Sequence, residues 1–183
     1  MSLTLIIIIA AVLIVLFVWS TYNSLATGKV RINEALSGID VQLKRRVDLV
    51  PNLVSTVKGY AKHEKELFEN VTKARASLIN AKGNAEKAKS DNLLSDALKN
   101  LIAISENYPN LKASSNFLEL QEELSDIEAK IAYARQFFNT NVSSYNSTLV
   151  NFPASLIGNM FGFKQEEFFA AKESEKEPVK VAF

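Results

Sequence analysis

The sequence predicts an all-α protein: an N-terminal transmembrane helix continuing into a long antiparallel up-down bundle of four helices with coiled-coil-like packing. Three observations predict it. Six Gly and four Pro in 183 residues leave few turns, so the elements must be long. Leu3 to Trp19 is apolar except for Thr4 and carries no charge. Two later stretches keep apolar residues in three-four alternation over many turns, the pattern of helices buried on one face. The chain divides into an anchor at 1–22, a helical bundle at 23–163 and a charged C-terminal tail at 164–183.

The anchor comes first. Roughly 17–25 apolar residues cross the hydrocarbon core of a bilayer, and Leu3, Ile9 and Leu16 lie in such a run. Trp19 and Tyr22 follow where interfacial aromatics belong. A cleaved signal peptide competes with this reading, because Ser24-Leu25-Ala26 has small residues at cleavage spacing. Against it, Met1-Ser2 supplies none of the basic residues that open such peptides. Lys29 and Arg31 follow the span and no charged side chain precedes it. The positive-inside rule then puts the N-terminus outside and the bundle in the cytoplasm.

No Pro interrupts residues 20–47, so the first helix should run out of the membrane for about 40 Å at 1.5 Å per residue. The stretch IDVQLKRRVDLVPNL (39–53) then reads as a corner. Lys44, Arg45 and Arg46 suit the negative end of a helix dipole, Asp48 is a good N-cap, and Pro51 is tolerated in a first turn. With Arg31, these residues are expected to form an ion-pair network at the membrane-distal tip.

The second helix is expected from Leu49, with Val50, Val54, Val57, Ala61, Glu64, Phe68, Val71, Arg75 and Leu78 on its buried stripe. Glu64 and Arg75 interrupt the apolar pattern, as snorkelling side chains or as partners of charges on another helix. AKGNAEKAKS (81–90) reads as a turn, with Ser90 or Asp91 capping a third helix that Tyr108-Pro109-Asn110 stops. Antiparallel alternation carries Lys82, Lys87 and Lys89 to the membrane face, as headgroup contacts or as an ordinary solvated loop.

The fourth helix is the most regular. From Ser114 or Ser115 it keeps Phe117, Leu120, Leu124, Ile127, Ile131, Ala134, Phe138, Asn141, Tyr145 and Thr148 in a seven-residue repeat. Asn141 and Thr148 are polar positions in that seam, set there to fix register or exposed at a frayed end. NFPASLIGNMFGF (151–163) is too apolar for a solvated loop. Phe152, Ile157, Met160, Phe161 and Phe163 are expected either at the membrane surface or against the bundle end or a neighbouring subunit. The tail from Lys164 is highly charged and reads as weakly ordered, with Phe168-Phe169 able to dock on a neighbouring surface.

Composition excludes much chemistry. There are 21 basic and 20 acidic residues, so no bulk charge points to nucleic acid. The absence of Cys and the single His63 argue against thiolate or His metal sites and against Cys or Ser-His-Asp nucleophiles. His63 and Glu64 are neighbours in sequence and point about 100° apart on a helix, so they make no tight acid–base pair. No catalytic, cofactor-binding or metal-ligating residue is assigned. A lipid partner, self-association into a homo-oligomer and an unknown protein partner are expected instead.

IDVQLKRRVDLVPNLVSTVKGYAKHE (39–64) closely resembles the signature of the LemA family of bacterial membrane proteins. Tyr22-Asn23, Arg31, Glu34-Ala35, Arg75, Tyr108-Pro109-Asn110-Leu111-Lys112, Leu120-Gln121, Ala134-Arg135, Tyr145-Asn146 and Phe152-Pro153 continue the match. Val47 departs mildly from it, since many relatives carry Ala there. The resemblance implies a bacterial inner-membrane protein with one N-terminal anchor, an antiparallel helical bundle and no agreed enzymatic activity. Some members of the family have been linked to membrane organisation or stress. The expected function is a non-enzymatic scaffold that self-associates and organises the membrane. The alternative is a tethered sensor or adaptor whose bundle binds a soluble partner.

Overall fold

The computed structural model describes residues 2–169 and is helical throughout its regular elements. In chain order these are α1 (Leu3–Tyr60), α2 (Lys65–Asn80), α3 (Gly83–Ser105), α4 (Pro109–Lys112), α5 (Ser115–Val150) and α6 (Ala154–Met160). The chain forms two compact units. Among the described residues, one holds those up to Ser37 together with Gln136–Phe168, and the other holds Gly38–Arg135 and Phe169.

The expected corner at 39–53 is absent. Helix α1 runs through it and ends at Tyr60. The reason lies in the phase of its buried face. Thr21, Leu25, Ile32, Ala35, Ile39, Leu43, Arg46, Val50, Leu53 and Val57 are all buried. Their steps of three, four and seven keep the 3.6-residue period through the proposed break. Pro51 therefore sits inside a helix rather than at its first turn. A proline there removes one N–H and crowds the carbonyl four residues back, at a cost of about 3 kcal/mol. That carbonyl belongs to Val47, and it accepts a 2.9 Å hydrogen bond from Nε of Arg75 on α2.

The break falls at Ala61–Glu64 instead. Gly59 weakens the last turn of α1, and Ala61 is wholly buried beyond it. The expected second helix is thus the end of α1 plus α2. The ten-residue turn at 81–90 shrinks to Ala81-Lys82, where Gly83 turns the chain with φ +77°. Asp91 does not cap α3; it lies in its interior and is buried.

Helix α5 keeps its repeat only in part. Phe117, Leu124, Ile131, Phe138 and Tyr145 are buried at seven-residue steps. The second row drifts, so that Val142 and Leu149 are buried where Asn141 and Thr148 were expected. A straight helix drifts by about 20° per heptad, and this is the consequence. Asn141 and Thr148 bond carbonyls of their own helix, at Phe137 and Ser144.

NFPASLIGNMFGF forms the short α6 after a cis Phe152–Pro153 bond. Gly158 faces inward, and a Cβ there would stand 2.4 Å from Cδ1 of Leu149. Residues 164–168 are held by α5: the Asn146 amide donates to the Glu166 carbonyl and accepts from its N–H, both at 2.9 Å. The tail expected to be weakly ordered starts at Lys164; these bonds fix its first part, and residues 170–183 lie outside the described residues.

Candidate functional site

The unit formed by Gly38–Arg135 and Phe169 is built around a buried charge cluster. Arg46 lies on the buried stripe of α1 and is only 2% exposed. Its guanidinium donates to Asp91 at 2.6 Å and to the Ser95 hydroxyl at 2.9 Å, both on α3, and to Glu128 on α5 at 2.6 Å. Asp91, 1% exposed, also accepts from Arg135 of α5 through its other oxygen. One carboxylate thus bridges two guanidinium groups, and Arg135 in turn lies over the ring of the buried Phe169 at 5.1 Å. A cleft of about 320 Å³ borders the cluster, and Nε of both arginines and Oδ1 of Asn92 have no protein partner there. Two cations and two carboxylates balance, which is what allows the group to stay buried.

The other unit brings two expected sets together. Tyr22 packs edge-on against Phe161 and Phe163, with centroids 5.0 and 5.6 Å apart. Phe152 is 81% and Met160 70% exposed, while Ile157 is buried on the inner face of α6. Gly28 admits the ring of Tyr145, since a Cβ there would stand 3.1 Å from it. Burial raises the Tyr145 hydroxyl above its usual pKa, with Lys29 opposing and Glu166 adding to the shift, so it stays protonated and donates to the Lys164 carbonyl at 3.0 Å. Lys29 pairs with Glu166 at 3.2 Å.

The expected tip network is not assembled. Lys44 and Asp48 pair with each other along exposed α1 at 2.9 Å. Arg46 turns inward, and Arg45 and Arg31 make no ion pair among the described residues. The three lysines expected at headgroups also separate. Lys87 pairs with Asp40 at 2.5 Å, the Lys82 N–H donates to Glu86 at 2.7 Å as α3 begins, and Lys89 is exposed. Leu3, Ile9 and Leu16 are exposed on the apolar start of α1, a segment long and apolar enough to cross a membrane. Around the break at Ala61–Glu64, a groove of about 630 Å³ has Val54 and Phe68 in its lining with Lys58, Lys62, Lys65, Lys73 and Glu69, and Glu69 pairs with Lys65 and Lys73, each at 3.9 Å. Among the described residues no cluster of three metal-ligating side chains occurs.

The profile of the LemA family matches residues 35–183. The chain belongs to the LemA family. It is similar to magnetosome protein MamQ of Magnetospirillum gryphiswaldense, 26% identical over 86% of this chain and 68% of the relative. It is also similar to protein LemA of Metamycoplasma hominis, 27% identical over 84% of this chain and 71% of the relative. The apolar start of α1 fits the single-pass anchoring expected of a membrane-associated LemA-family protein.

Sequence reasoning missed Asp91, Ser95 and Glu128 as partners of Arg46, and Arg135 as the second cation on Asp91. One signal was available. Arg46 falls seven residues after Ile39 and seven before Leu53, on the apolar face, so a buried arginine demanded buried carboxylates elsewhere.

Proposed function

We propose that this chain is a non-enzymatic, membrane-anchored helical scaffold that self-associates and organises the bacterial membrane. The observation that carries the reading is the apolar surface that the fold leaves uncovered beside the anchor: Phe152, Leu156, Met160 and Phe161 are exposed in the same unit as the span. A surface of this kind is suited to a neighbouring subunit or to the interface of the bilayer. Membership of the LemA family and similarity to magnetosome protein MamQ support a membrane-associated task. The positive-inside rule favours an external N-terminus and a cytoplasmic helical domain. The mass of the full-length protein in detergent, measured by light scattering at micromolar concentration, tests self-association. A stable assembly of several chains is expected, and a monodisperse monomer overturns it.

The second reading, a tethered adaptor, is favoured by the lysine-rimmed groove at the break between α1 and α2. Its apolar floor and its net positive charge, four lysines against the single Glu69 among the described residues, suit an acidic, partly apolar segment of a soluble partner. Loss of a stoichiometric, salt-sensitive complex on replacing Lys58 and Lys62 by Glu tests it.

A further inference from the structure

We propose that the unit carrying the span holds a binding site for the headgroup phosphate of an anionic phospholipid, with Arg31 as its cation. The site is a groove of about 380 Å³ between α1 and α5, within the ~300–1,000 Å³ range of small-molecule sites. Ser20, Ser24 and Thr27 line it from α1, and Asn141, Ser144 and Thr148 from α5. Among the described residues no acidic side chain lines it. Arg31 is its only charged residue and, unlike Lys29, has no carboxylate partner among the described residues. A groove that carries an exposed guanidinium at one end and hydroxyls and amides along its walls has the chemistry that a phosphodiester takes up: a delocalised cation and neutral donors.

The groove also lies in the right place. Ser20 directly follows Trp19, the last residue of the apolar run. About 14 Å of helix separates Tyr22, the interfacial aromatic that ends the anchor, from Arg31 at 1.5 Å per residue. Helical side chains lean toward the N-terminus, so the guanidinium reaches back along the groove toward the span. The hydroxyl-lined end opens at the level of the headgroups, which extend about 5–7 Å beyond the hydrocarbon. Gly28 lets the Tyr145 ring pack closely on α1, and both residues form part of the lining. The inference rests on the anchoring of Leu3–Trp19 in the bilayer and is independent of self-association.

The test uses the full-length protein in detergent, with native mass spectrometry counting bound short-chain phosphatidylglycerol or phosphatidylcholine. One phosphatidylglycerol per chain is expected to bind saturably, about tenfold or more tightly than phosphatidylcholine, with Arg31→Gln erasing the difference. Ser144→Leu, which fills the groove without changing charge, should do the same, and Ser24→Leu serves if that variant does not fold. Equal binding of the two lipids, or an Arg31→Gln protein that binds like the unaltered one, overturns the proposal. So does a groove-filling variant that folds and binds normally, because diffuse charge then suffices. Displacement of the lipid by millimolar inorganic phosphate would assign the site to free phosphate and overturn the lipid assignment. Co-sedimentation with vesicles separates the two readings: the variants should still partition with the bilayer, whereas an unaltered protein that stays in solution refutes the anchor itself.

Discussion

Nε of Arg75 donates to the carbonyl oxygen of Val47 at 2.9 Å, and Val47 is the residue whose helical partner Pro51 deletes. The two facts belong together. A proline inside a helix leaves one acceptor without its N–H and pushes that same carbonyl aside with its ring. In α1 the acceptor is met from α2 by a charged donor, which forms a stronger bond than a neutral one. The helix can therefore carry Pro51 without ending there.

Arg75→Ala should destabilise the protein by about 1–3 kcal/mol, because it leaves a carbonyl without its donor. In a Pro51→Ala background the N–H returns, and the same substitution should cost less than half as much. A double-mutant cycle on denaturation midpoints of the detergent-solubilised protein measures the coupling. Equal costs in both backgrounds would separate Arg75 from Pro51.

Asp91 serves two arginines, so its loss should be the most costly in the buried cluster. Asp91→Ala is expected to cost about 3–5 kcal/mol, as it strands Arg46 in the interior. Glu128 is partly solvated, and Glu128→Gln should cost about 1 kcal/mol or less. Urea denaturation followed by circular dichroism gives the ranking. If Glu128→Gln costs as much as Asp91→Ala, the cluster does not centre on the aspartate.

Asn146→Ala removes both hydrogen bonds to the main chain of Glu166. The segment 164–168 should then become a cleavage site for a glutamate-specific protease at Glu166 or Glu167, at least about tenfold faster than in the unaltered protein. Tyr145→Phe, which removes a single bond to Lys164, should have a smaller effect. Cleavage is read by intact mass over time.

Phe152→Glu changes a side chain that is 81% exposed, so the fold should keep its thermal midpoint within about 0.5 kcal/mol equivalent. The size of the detergent-solubilised assembly should fall. Light scattering and a thermal melt on the same sample check both halves of the expectation.

The helical class, the apolar span and most buried positions were legible because they are statements about periodicity. Leu25, Ile32, Ile39, Leu43, Val50, Leu53 and Val57 declare one face of one helix by spacing alone. The corner was misplaced because local signals at Lys44–Pro51 resemble a helix end and start, while the buried face of α1 carries the helix through and the carbonyl freed by Pro51 is met by a side chain 28 positions beyond Val47. No local rule reports such a contact. The charge cluster was obscured in the same way: Asp91 looks like a cap in sequence, and only the packing of α1, α3 and α5 makes it the counter-ion of Arg46 and Arg135. The drift of α5 was accessible in principle, since Val142 and Leu149 continue an eleven-residue spacing from Ile131 and Phe138.

The clamp of Asn146 on Glu166 has an evolutionary consequence. The amide engages the main-chain N–H and C=O, which every residue other than proline presents alike. Gln165 and Glu167, both exposed, are therefore under little constraint from this contact, whereas Asn146 has few replacements with the same donor–acceptor reach. Among descendants of this chain, Asn146 should hold steady while Gln165 and Glu167 on either side of the gripped residue drift.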